Sequence, residues 1–231
     1  MVGRRGFFTS MGGGAVLALG ACARSPGLEA AGTPVGAIAA TGFAALQVNG
    51  ATRGAAVGFD DRHVLTCAHV VASGGPVVLR RGLDGAEVTA GAVLRSRRMD
   101  LAVLRVPAGF LQPPICATEA PRSGEAVWAA GVPGLGSPVA QGVVEAVDAE
   151  MPGFGRGFTA RMPVLMGYSG GPVVDRNGVL MGLTSALPGG GGASFLAFLT
   201  GADLDGLTAR DRRVFVLCIQ RAGAEARRLL G

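Results

Sequence analysis

Three residues of this 231-residue chain carry the side chains that nucleophilic acyl chemistry requires, in the order His69, Asp100 and Ser169. A serine hydroxyl attacks a carbonyl group when a base removes its proton, an acid orients that base, and nearby donors stabilise the developing negative charge. His69 lies at the end of the apolar run VLTCAHVV, Asp100 begins the run DLAVLRV, and Ser169 lies in the glycine-rich stretch MGYSGGPVV. Each of the three is therefore predicted to lie at the edge of a strand.

The choice of base is narrow because the chain contains two histidines, His63 and His69. Imidazole is the side chain whose ordinary pKa allows proton exchange near neutral pH. His63 follows the polar turn DDR and is predicted to be exposed, whereas His69 is predicted at the end of a packed strand, where a base is held rigidly. A single histidine or aspartate is more often structural, so the argument rests on the combination of the three residues.

The glycines around Ser169 predict a sharp backbone turn. Gly167 precedes the serine, and Gly170 and Gly171 follow it. Such a turn can aim two amide groups at one point, so the N–H groups of Gly167 and Ser169 are predicted to form an oxyanion hole. Because the chain has 40 glycines, a glycine turn beside a serine is common in it, and this motif is weaker evidence than the set of three residues.

The elements that position these residues are short apolar runs separated by turn signals, a pattern typical of antiparallel sandwiches or barrels. The runs extend from AALQV, which begins at residue 44, to SFLAFLT, which ends at residue 200. The proline-containing segment 109–125 divides them into two halves. The last segment, 211–230, has apolar residues three to four apart at Val214, Leu217, Cys218 and Ala222, which predicts a helix that packs one face on the body.

The motifs TCAHVV, DLAVLRV and GYSGGPVV resemble the signatures of trypsin-like serine proteases, specifically the bacterial HtrA-like branch, and the resemblance covers residues 42–200. It implies an all-β fold of two six-stranded antiparallel β-barrels, at about residues 41–108 and 124–200, with the site between them and a helix in the C-terminal segment 201–231. It also implies that His69 is the base, Asp100 the orienting acid and Ser169 the nucleophile, with Gly167 and Ser169 as oxyanion donors. No cofactor is implied.

The same resemblance suggests which residues contact a protein or peptide substrate. Ser185 matches a serine that supports the acid, and the segment 185–187 would pair with the substrate backbone as an added strand. The segment 163–165 would line the pocket for the residue before the cleaved bond. None of these residues is acidic, which predicts a small or medium apolar residue there rather than arginine or lysine. The predicted substrate-contacting residues are Pro163, Val164, Leu165, Ser185, Ala186 and Leu187.

The chain departs from the family pattern at Tyr168, where the family usually has aspartate or asparagine. A bulky ring at this position would reshape the leaving-group side of the site. No PDZ-like segment follows residue 200, and no large regulatory loop is expected. Two other functions stay open: a latent or inactive binding protein with a protease fold, and an esterase-like acyl hydrolase that uses the same three residues.

The first 23 residues are predicted to be an export signal, with a charged start, a short apolar stretch and small residues before the cleavage site. Arg4 and Arg5 resemble a twin-arginine signal, and an ordinary Sec signal is the alternative. LGAC, which ends at Cys22, resembles a lipobox, while cleavage after Ala23 fits equally well. Residues 24–40 are predicted to be a tether. The protein is therefore expected in the periplasm or cell envelope, either free or anchored to the membrane through a lipidated Cys22.

The composition excludes some function classes. The chain is 49% hydrophobic and 16% charged, which predicts a sizeable core rather than disorder. All 21 basic residues are arginines, and they form small groups in a chain that is 5% aromatic, so nucleic-acid binding is not predicted. The two histidines lack partners at metal-ligand spacing, so no metal site is predicted. A disulfide bridge between Cys116 and Cys218 is compatible with an oxidising compartment, and Cys67 is predicted to be a small buried apolar residue.

Overall fold

The N-terminal half of the protein is a curled antiparallel sheet. The structure, a computed structural model, describes residues 27–134, 137–186 and 212–231. The strands of this half are β1 (Phe43–Val48), β2 (Ala51–Gly58), β3 (His63–Thr66), β4 (Val77–Arg81), β5 (Glu87–Thr89), β6 (Val93–Arg95) and β7 (Ala102–Arg105). They are ordered β5-β4-β1-β2-β3-β7-β6, so β5 and β6 lie at opposite edges of the sheet.

These two edge strands belong to one bent segment, residues 87–95. Between them, the N–H of Ala90 donates to the carbonyl of Val77, and the N–H of Gly91 donates to the carbonyl of Arg105, both at 2.9 Å. One end of the segment therefore pairs with β4 and the other with β7, which curls the sheet round on itself. Counted as one bent strand, the segment makes this half the six-stranded barrel that was predicted.

The C-terminal half is a closed antiparallel barrel. Its strands are β8 (Ala126–Ala130), β9 (Val139–Met151), β10 (Gly155–Met162), β11 (Pro172–Val174), β12 (Leu180–Ala186) and β13 (Arg212–Cys218). The order around the barrel is β10-β13-β12-β11-β8-β9, with β10 adjoining β9 to close the ring. The predicted fold class, two antiparallel barrels followed by a helix, is confirmed.

The helix is shorter than predicted because the segment 211–230 begins with a strand. β13 pairs with β10 and β12, and a helix of 12 residues, α3 (Ile219–Leu230), follows it directly. Val214 and Val216 lie in the core of the C-terminal barrel, whereas Phe215 and Leu217 lie in the core between the barrels. A strand buried on both faces has no polar alternation, so its apolar run imitates a helical pattern. The barrel thus extends to Cys218 instead of ending near residue 200.

Most of the predicted tether is folded onto the body. Two short helices, α1 (Gly27–Ala30) and α2 (Gly36–Thr41), precede β1. Val35, Ile38 and Ala39 are buried in the core between the barrels. The carbonyl of Thr41 also accepts the N–H of Gln112 at 2.9 Å, which ties the end of α2 to the segment between the barrels. Of the described residues, those from Ala30 onwards are therefore part of the packed domain.

Three apolar cores stabilise this arrangement. One fills the N-terminal barrel, one fills the C-terminal barrel, and the third joins both barrels to α2 and α3. Within the described ranges, none of the helices has both the length and the apolar character needed to cross a membrane. Cys116 and Cys218 are free thiols, so the bridge considered from the sequence is not formed. Cys67 is fully buried, as predicted.

Replacement of Phe215 by alanine is expected to lower the free energy of unfolding by about 3–5 kcal/mol, because the change leaves a cavity in the core that both barrels share. Urea denaturation measures the loss. Leu230→Ala at the exposed end of α3 is the control, with an expected loss below about 1 kcal/mol. Equal losses in the two variants would contradict the assignment of residues 212–218 to a buried barrel strand.

Candidate active site

Asp100 is a buried carboxylate that both barrels hold. It is 5% exposed and follows a tight loop that leads into β7. Its Oδ1 accepts the backbone N–H of His69 at 2.9 Å, and its Oδ2 accepts the Ser185 hydroxyl at 2.7 Å. Its own N–H donates to the carbonyl of Phe154 at 3.2 Å. Because Ser185 and Phe154 belong to the C-terminal half, this acid lies where the two barrels meet.

The ring of His69 is held by the same carboxylate. His69 lies in a short 3₁₀ helix, Ala68–Val71, that follows β3. Its Nδ1 lies 2.7 Å from Oδ2 of Asp100, and the side chain is 14% exposed. A hydrogen bond from Nδ1–H to the carboxylate leaves Nε2 as the basic nitrogen of the neutral ring. The geometry therefore suits an imidazole that accepts a proton at Nε2.

The environment of Asp100 keeps it ionised. Burial by itself would raise the pKa of Asp100, but the hydrogen bonds from His69 and Ser185 outweigh it and hold the pKa below its ordinary value. A carboxylate with a depressed pKa stabilises the folded protein above the pKa of the unfolded chain, about 3.9. That contribution is lost as the pH falls through the folded-state pKa. At neutral pH, Asp100 is thus a fixed negative charge that can stabilise an imidazolium.

Cys67 lies beneath this pair of residues. Its sulfur donates to the carbonyl of Thr184 at 3.3 Å, and ligand atoms of Cys67, His69 and Asp100 all lie within 4.8 Å of one another. Burial and the charge of Asp100 raise the pKa of the Cys67 thiol well above its ordinary value. A neutral thiol is a poor metal ligand, and Nδ1 and Oδ2 already share a hydrogen bond. The sulfur therefore acts as packing below the site.

A β-bulge turns Ser185 toward Asp100. The pairing of β12 with β13 shifts between Thr184 and Ala186, so Ser185 is the extra residue. Bulges commonly re-aim a side chain next to an active site. Ser185 is 1% exposed as a whole residue, and its hydroxyl points at the acid, so this hydroxyl supports Asp100 and does not face a substrate.

The turn that carries Ser169 is hydrogen-bonded to a strand of each barrel. The carbonyl of Ser169 accepts the N–H of Ala55 in β2 at 2.8 Å, and the N–H of Gly170 donates to the carbonyl of Thr184 in β12 at the same distance. Gly170 has φ +81°, and a Cβ there would lie 2.2 Å from the Ala55 carbonyl oxygen and 3.1 Å from the Cys67 nitrogen. Only glycine fits this position. Ser169 is thus fixed beside the strand ends that carry His69 and Ser185.

Gly167 also needs the left-handed backbone region. Its φ is +98°, and a Cβ would lie 2.4 Å from the carbonyl oxygen of Val132. The Gly167 carbonyl accepts the N–H of Val132 at 3.0 Å, which orients the turn. Among the described residues, the amide N–H groups of Gly167 and Ser169 donate to no acceptor. Two amides of one turn are therefore available to a negatively charged oxygen.

Tyr168 does not point into the site. Its ring is fully buried in the core of the C-terminal barrel, and its hydroxyl donates to the carbonyl of Ser137 at 2.7 Å. Burial raises the pKa of Tyr168, so the phenol is neutral. The ring lies against Gly131, where a Cβ would come within 2.6 Å of the ring carbon Cγ. The expected change on the leaving-group side is therefore wrong, because the barrel interior accepts the ring.

The predicted substrate-contacting residues fall into different environments. Pro163 is exposed and Leu165 is half-buried, so both are accessible. Val164 is 1% exposed and packs inside the C-terminal barrel, so its prediction as pocket wall is wrong for the side chain. Ala186 ends β12 and pairs with Phe215. Leu187 lies outside the described residues.

The structure also adds residues that the sequence motifs did not indicate. The Phe154 ring, in the turn between β9 and β10, lies 6.5 Å from the His69 ring between centroids. Glu225 of α3 is buried and accepts the Ser96 hydroxyl at 2.5 Å. Ser96 in turn accepts the N–H of Arg98 at 3.0 Å, within the loop that leads to Asp100. No local pattern signals the contacts of Phe154 with His69 and of Glu225 with Ser96, because each joins segments far apart in the sequence.

The second histidine has its own acid but no serine turn. His63 begins β3, and its Nδ1 lies 2.9 Å from Oδ1 of Asp60 three residues earlier. The side chain is 22% exposed, less than the sequence predicted, and that of Asp60 is 44% exposed. This local pair is a natural comparison for His69 and Asp100, because it has the same two side chains in a solvated turn.

The protein consists of two β-barrels in contact, with a histidine–aspartate pair and the turn of Ser169 where they meet. This arrangement defines its class, which is that of the trypsin-like serine endopeptidases. The model of the trypsin-like peptidase domain family matches residues 40–183, more than half of the chain, so the chain belongs to that family. None of the curated proteins compared with the chain is a significant match.

Solved structures with the same fold include HtrA-type proteases, so the fold is the one that the predicted resemblance implied. The Rv3671c protease of M. tuberculosis, in an inactive form, has a TM-score of 0.62 and 21% identity over 85% of this chain and 92% of that one. The HtrA-type protease AlgW with a tripeptide has a TM-score of 0.64 and 22% identity, over 84% and 62%. A serine endoprotease from Yersinia pestis has a TM-score of 0.64 and 22% identity, over 85% and 65%. The chain thus spans less than two thirds of the last two proteins.

Asp100→Asn is expected to slow the reaction of Ser169 with a fluorophosphonate by about three to four orders of magnitude, because the amide no longer fixes the ring of His69 in the productive tautomer. The second-order labelling rate measures this effect. Asp60→Asn, which changes the solvated histidine pair, is the matched control and should alter the rate by less than about twofold. Equal rates in the two variants would exclude Asp100 as the orienting acid.

Tyr168→Phe is expected to lower the free energy of unfolding by about 1 kcal/mol, because one hydrogen bond to Ser137 is lost while the ring remains. The labelling rate of Ser169 should stay within about twofold of the wild-type rate, since the hydroxyl lies away from the site. Tyr168→Asn removes the ring from the core and should destabilise the protein by about 3–5 kcal/mol. Faster labelling of folded Tyr168→Asn protein would show instead that the ring obstructs the site.

Proposed function

We propose that this chain is an exported serine endopeptidase that cleaves peptide bonds through an acyl-enzyme at Ser169. The observation that carries the proposal is the 2.7 Å hydrogen bond between His69 Nδ1 and Asp100 Oδ2, next to the pinned turn of Ser169. His69 is the general base and general acid, Asp100 is the orienting acid, and Ser185 supports Asp100. Ser169 is the nucleophile.

The steps follow from this assignment. Nε2 of His69 takes the hydroxyl proton of Ser169 as Oγ forms a bond to the carbonyl carbon of the substrate. The tetrahedral oxyanion accepts hydrogen bonds from the N–H groups of Gly167 and Ser169. The C–N bond then breaks, and the imidazolium of His69 gives its proton to the leaving amine. Water repeats the same steps on the acyl-enzyme and releases the acid product.

The substrate is proposed to bind as an extended peptide beside the segment 185–187, with an apolar residue before the cleaved bond. Pro163 and Leu165 support that preference, since both are accessible and neither carries charge. Binding of a peptide is also in keeping with the structure of the HtrA-type protease AlgW with a tripeptide. A pocket without an acid has nothing to neutralise arginine or lysine, whose burial would be costly.

The location is proposed from the N-terminal sequence, which lies outside the described residues. Residues 1–23 carry the paired arginines, the short apolar stretch and the small residues of an export signal. Export would place the protease in the periplasm or cell envelope. Lipidation of Cys22 would anchor the N-terminus in a membrane, which brings the domain close to the membrane surface, whereas cleavage after Ala23 would release it.

Labelling of the purified protein with a fluorophosphonate probe tests the proposal. The wild type should be labelled, and Ser169→Ala and His69→Ala should not be, because each removes one part of a unit that acts together. His63→Ala is the matched control and should be labelled normally. Cleavage of casein should follow the same pattern, while turnover of a small ester without casein cleavage would indicate an esterase. A folded wild-type protein that is not labelled would contradict constitutive activity and favour a latent or binding protein.

A further inference from the structure

A basic cleft adjoins the imidazole of His69. It has a volume of about 540 Å³ and is lined by Ala68, His69, Ala72, Arg95, Ser96 and Arg97. Ala68, His69 and Ala72 come from the 3₁₀ helix and its end, and the other three come from the end of β6 and the loop before Asp100. We propose that this cleft is a subsite for an acidic side chain of the substrate; the inference rests on the proposed function and names its substrate class.

The lining of the cleft is positively charged. Arg95 and Arg97 are both exposed, and Arg98 follows directly. The Arg95 guanidinium makes one long contact, 3.5 Å, with the carbonyl oxygen of Ala72 across the cleft. Within the described part of the chain, neither Arg95 nor Arg97 forms an ion pair with a carboxylate. Two positive charges therefore face solvent beside His69, with no counter-charge among the described residues.

Asp100 and Glu225, the acids near the cleft, already have hydrogen-bond partners within the protein. Asp100 is buried behind His69 and accepts hydrogen bonds from it and from Ser185. Glu225 accepts the Ser96 hydroxyl and forms an ion pair with Arg228 at 2.7 Å. Neither carboxylate is available to neutralise the cleft. A carboxylate of the substrate would lie close to both guanidinium groups. In this partly screened site, its negative charge would be attracted by their positive charges.

The position of the acidic residue follows from chain geometry. His69 lines the cleft and must also reach the hydroxyl of Ser169 and the leaving amine. Consecutive Cα atoms of an extended peptide lie 3.8 Å apart, so a side chain in a cleft that touches the imidazole belongs to a residue within two positions of the cleaved bond. Pro163 and Leu165, which are proposed to receive the apolar residue, follow β10 of the C-terminal barrel. The preference for an apolar residue before the cleaved bond and the preference for an acidic residue in the cleft therefore apply to different residues of the same substrate.

Paired peptide substrates test this inference with the purified full-length protein. Internally quenched peptides carry the same apolar residue before the cleaved bond and either glutamate or glutamine at each flanking position, and mass spectrometry locates the cleaved bond. At low ionic strength, glutamate should raise kcat/KM about fivefold over glutamine at one position within two residues of that bond. The preference should fall toward unity near 0.5 M NaCl, because salt screens the pair.

Charge variants identify the cleft as the source of the preference. The double change Arg95→Gln and Arg97→Gln should remove the glutamate preference, and the double change Arg95→Glu and Arg97→Glu should replace it with a preference for lysine over glutamine. Arg176→Gln, on the exposed turn between β11 and β12, is the matched control and should keep it. Fluorophosphonate titration gives the concentration of active sites in each variant, so a folding defect is not mistaken for lost specificity.

The outcomes separate this inference from the proposed function. Equal cleavage of the glutamate and glutamine peptides by the wild type would overturn the subsite and leave the endopeptidase in place. A glutamate preference that survives the double change would also overturn it. Absence of both peptide cleavage and labelling would overturn the proposed function and the subsite together.

Discussion

A buried carboxylate at the contact between two barrels is the constraint on which this structure depends. An ionised acid in an apolar interior is costly unless hydrogen bonds satisfy it. Asp100 meets that demand by accepting from the backbone and ring of His69 in one half and from Ser185 in the other. Its stability therefore requires that the barrels be docked. The same bonds orient the imidazole, so folding of the interface and assembly of the site are one event.

The turn that carries Ser169 also depends on contacts with both barrels, and these contacts are made by backbone groups instead of a charged side chain. Its carbonyl and amide groups bond to Ala55 of one barrel and Thr184 of the other, and the glycines at its ends allow the backbones to approach. The core between the barrels supplies the apolar contact that holds these bonds in register. Rigid strands thus position residues that lie on turns, which is how binding and catalytic groups are commonly presented.

The departure from the family pattern at Tyr168 is accommodated away from the active site, because its ring turns into the C-terminal barrel against Gly131. Cys67 is likewise buried, as a neutral thiol beneath Asp100. The arginines behave differently, because a guanidinium can stay in solvent while its stem packs along the surface. Arg95 and Arg97 therefore keep their charges beside His69, while the acid that orients His69 is hidden from them.

The sequence by itself determined the class of fold and singled out the three candidate catalytic residues, because alternating runs, turn glycines and short motifs are local signals. It misassigned Val164, whose side chain is in a barrel core, and the strand 212–218, whose apolar run is buried on both faces. The contact of Asp100 with Ser185 followed from the family resemblance, whereas its contact with Phe154 and the cleft between Ala72 and Arg97 depended on tertiary structure. These features join segments distant in the chain: the docking of the two barrels brings Phe154 to Asp100, and the curling of the N-terminal sheet brings Arg97 to Ala72.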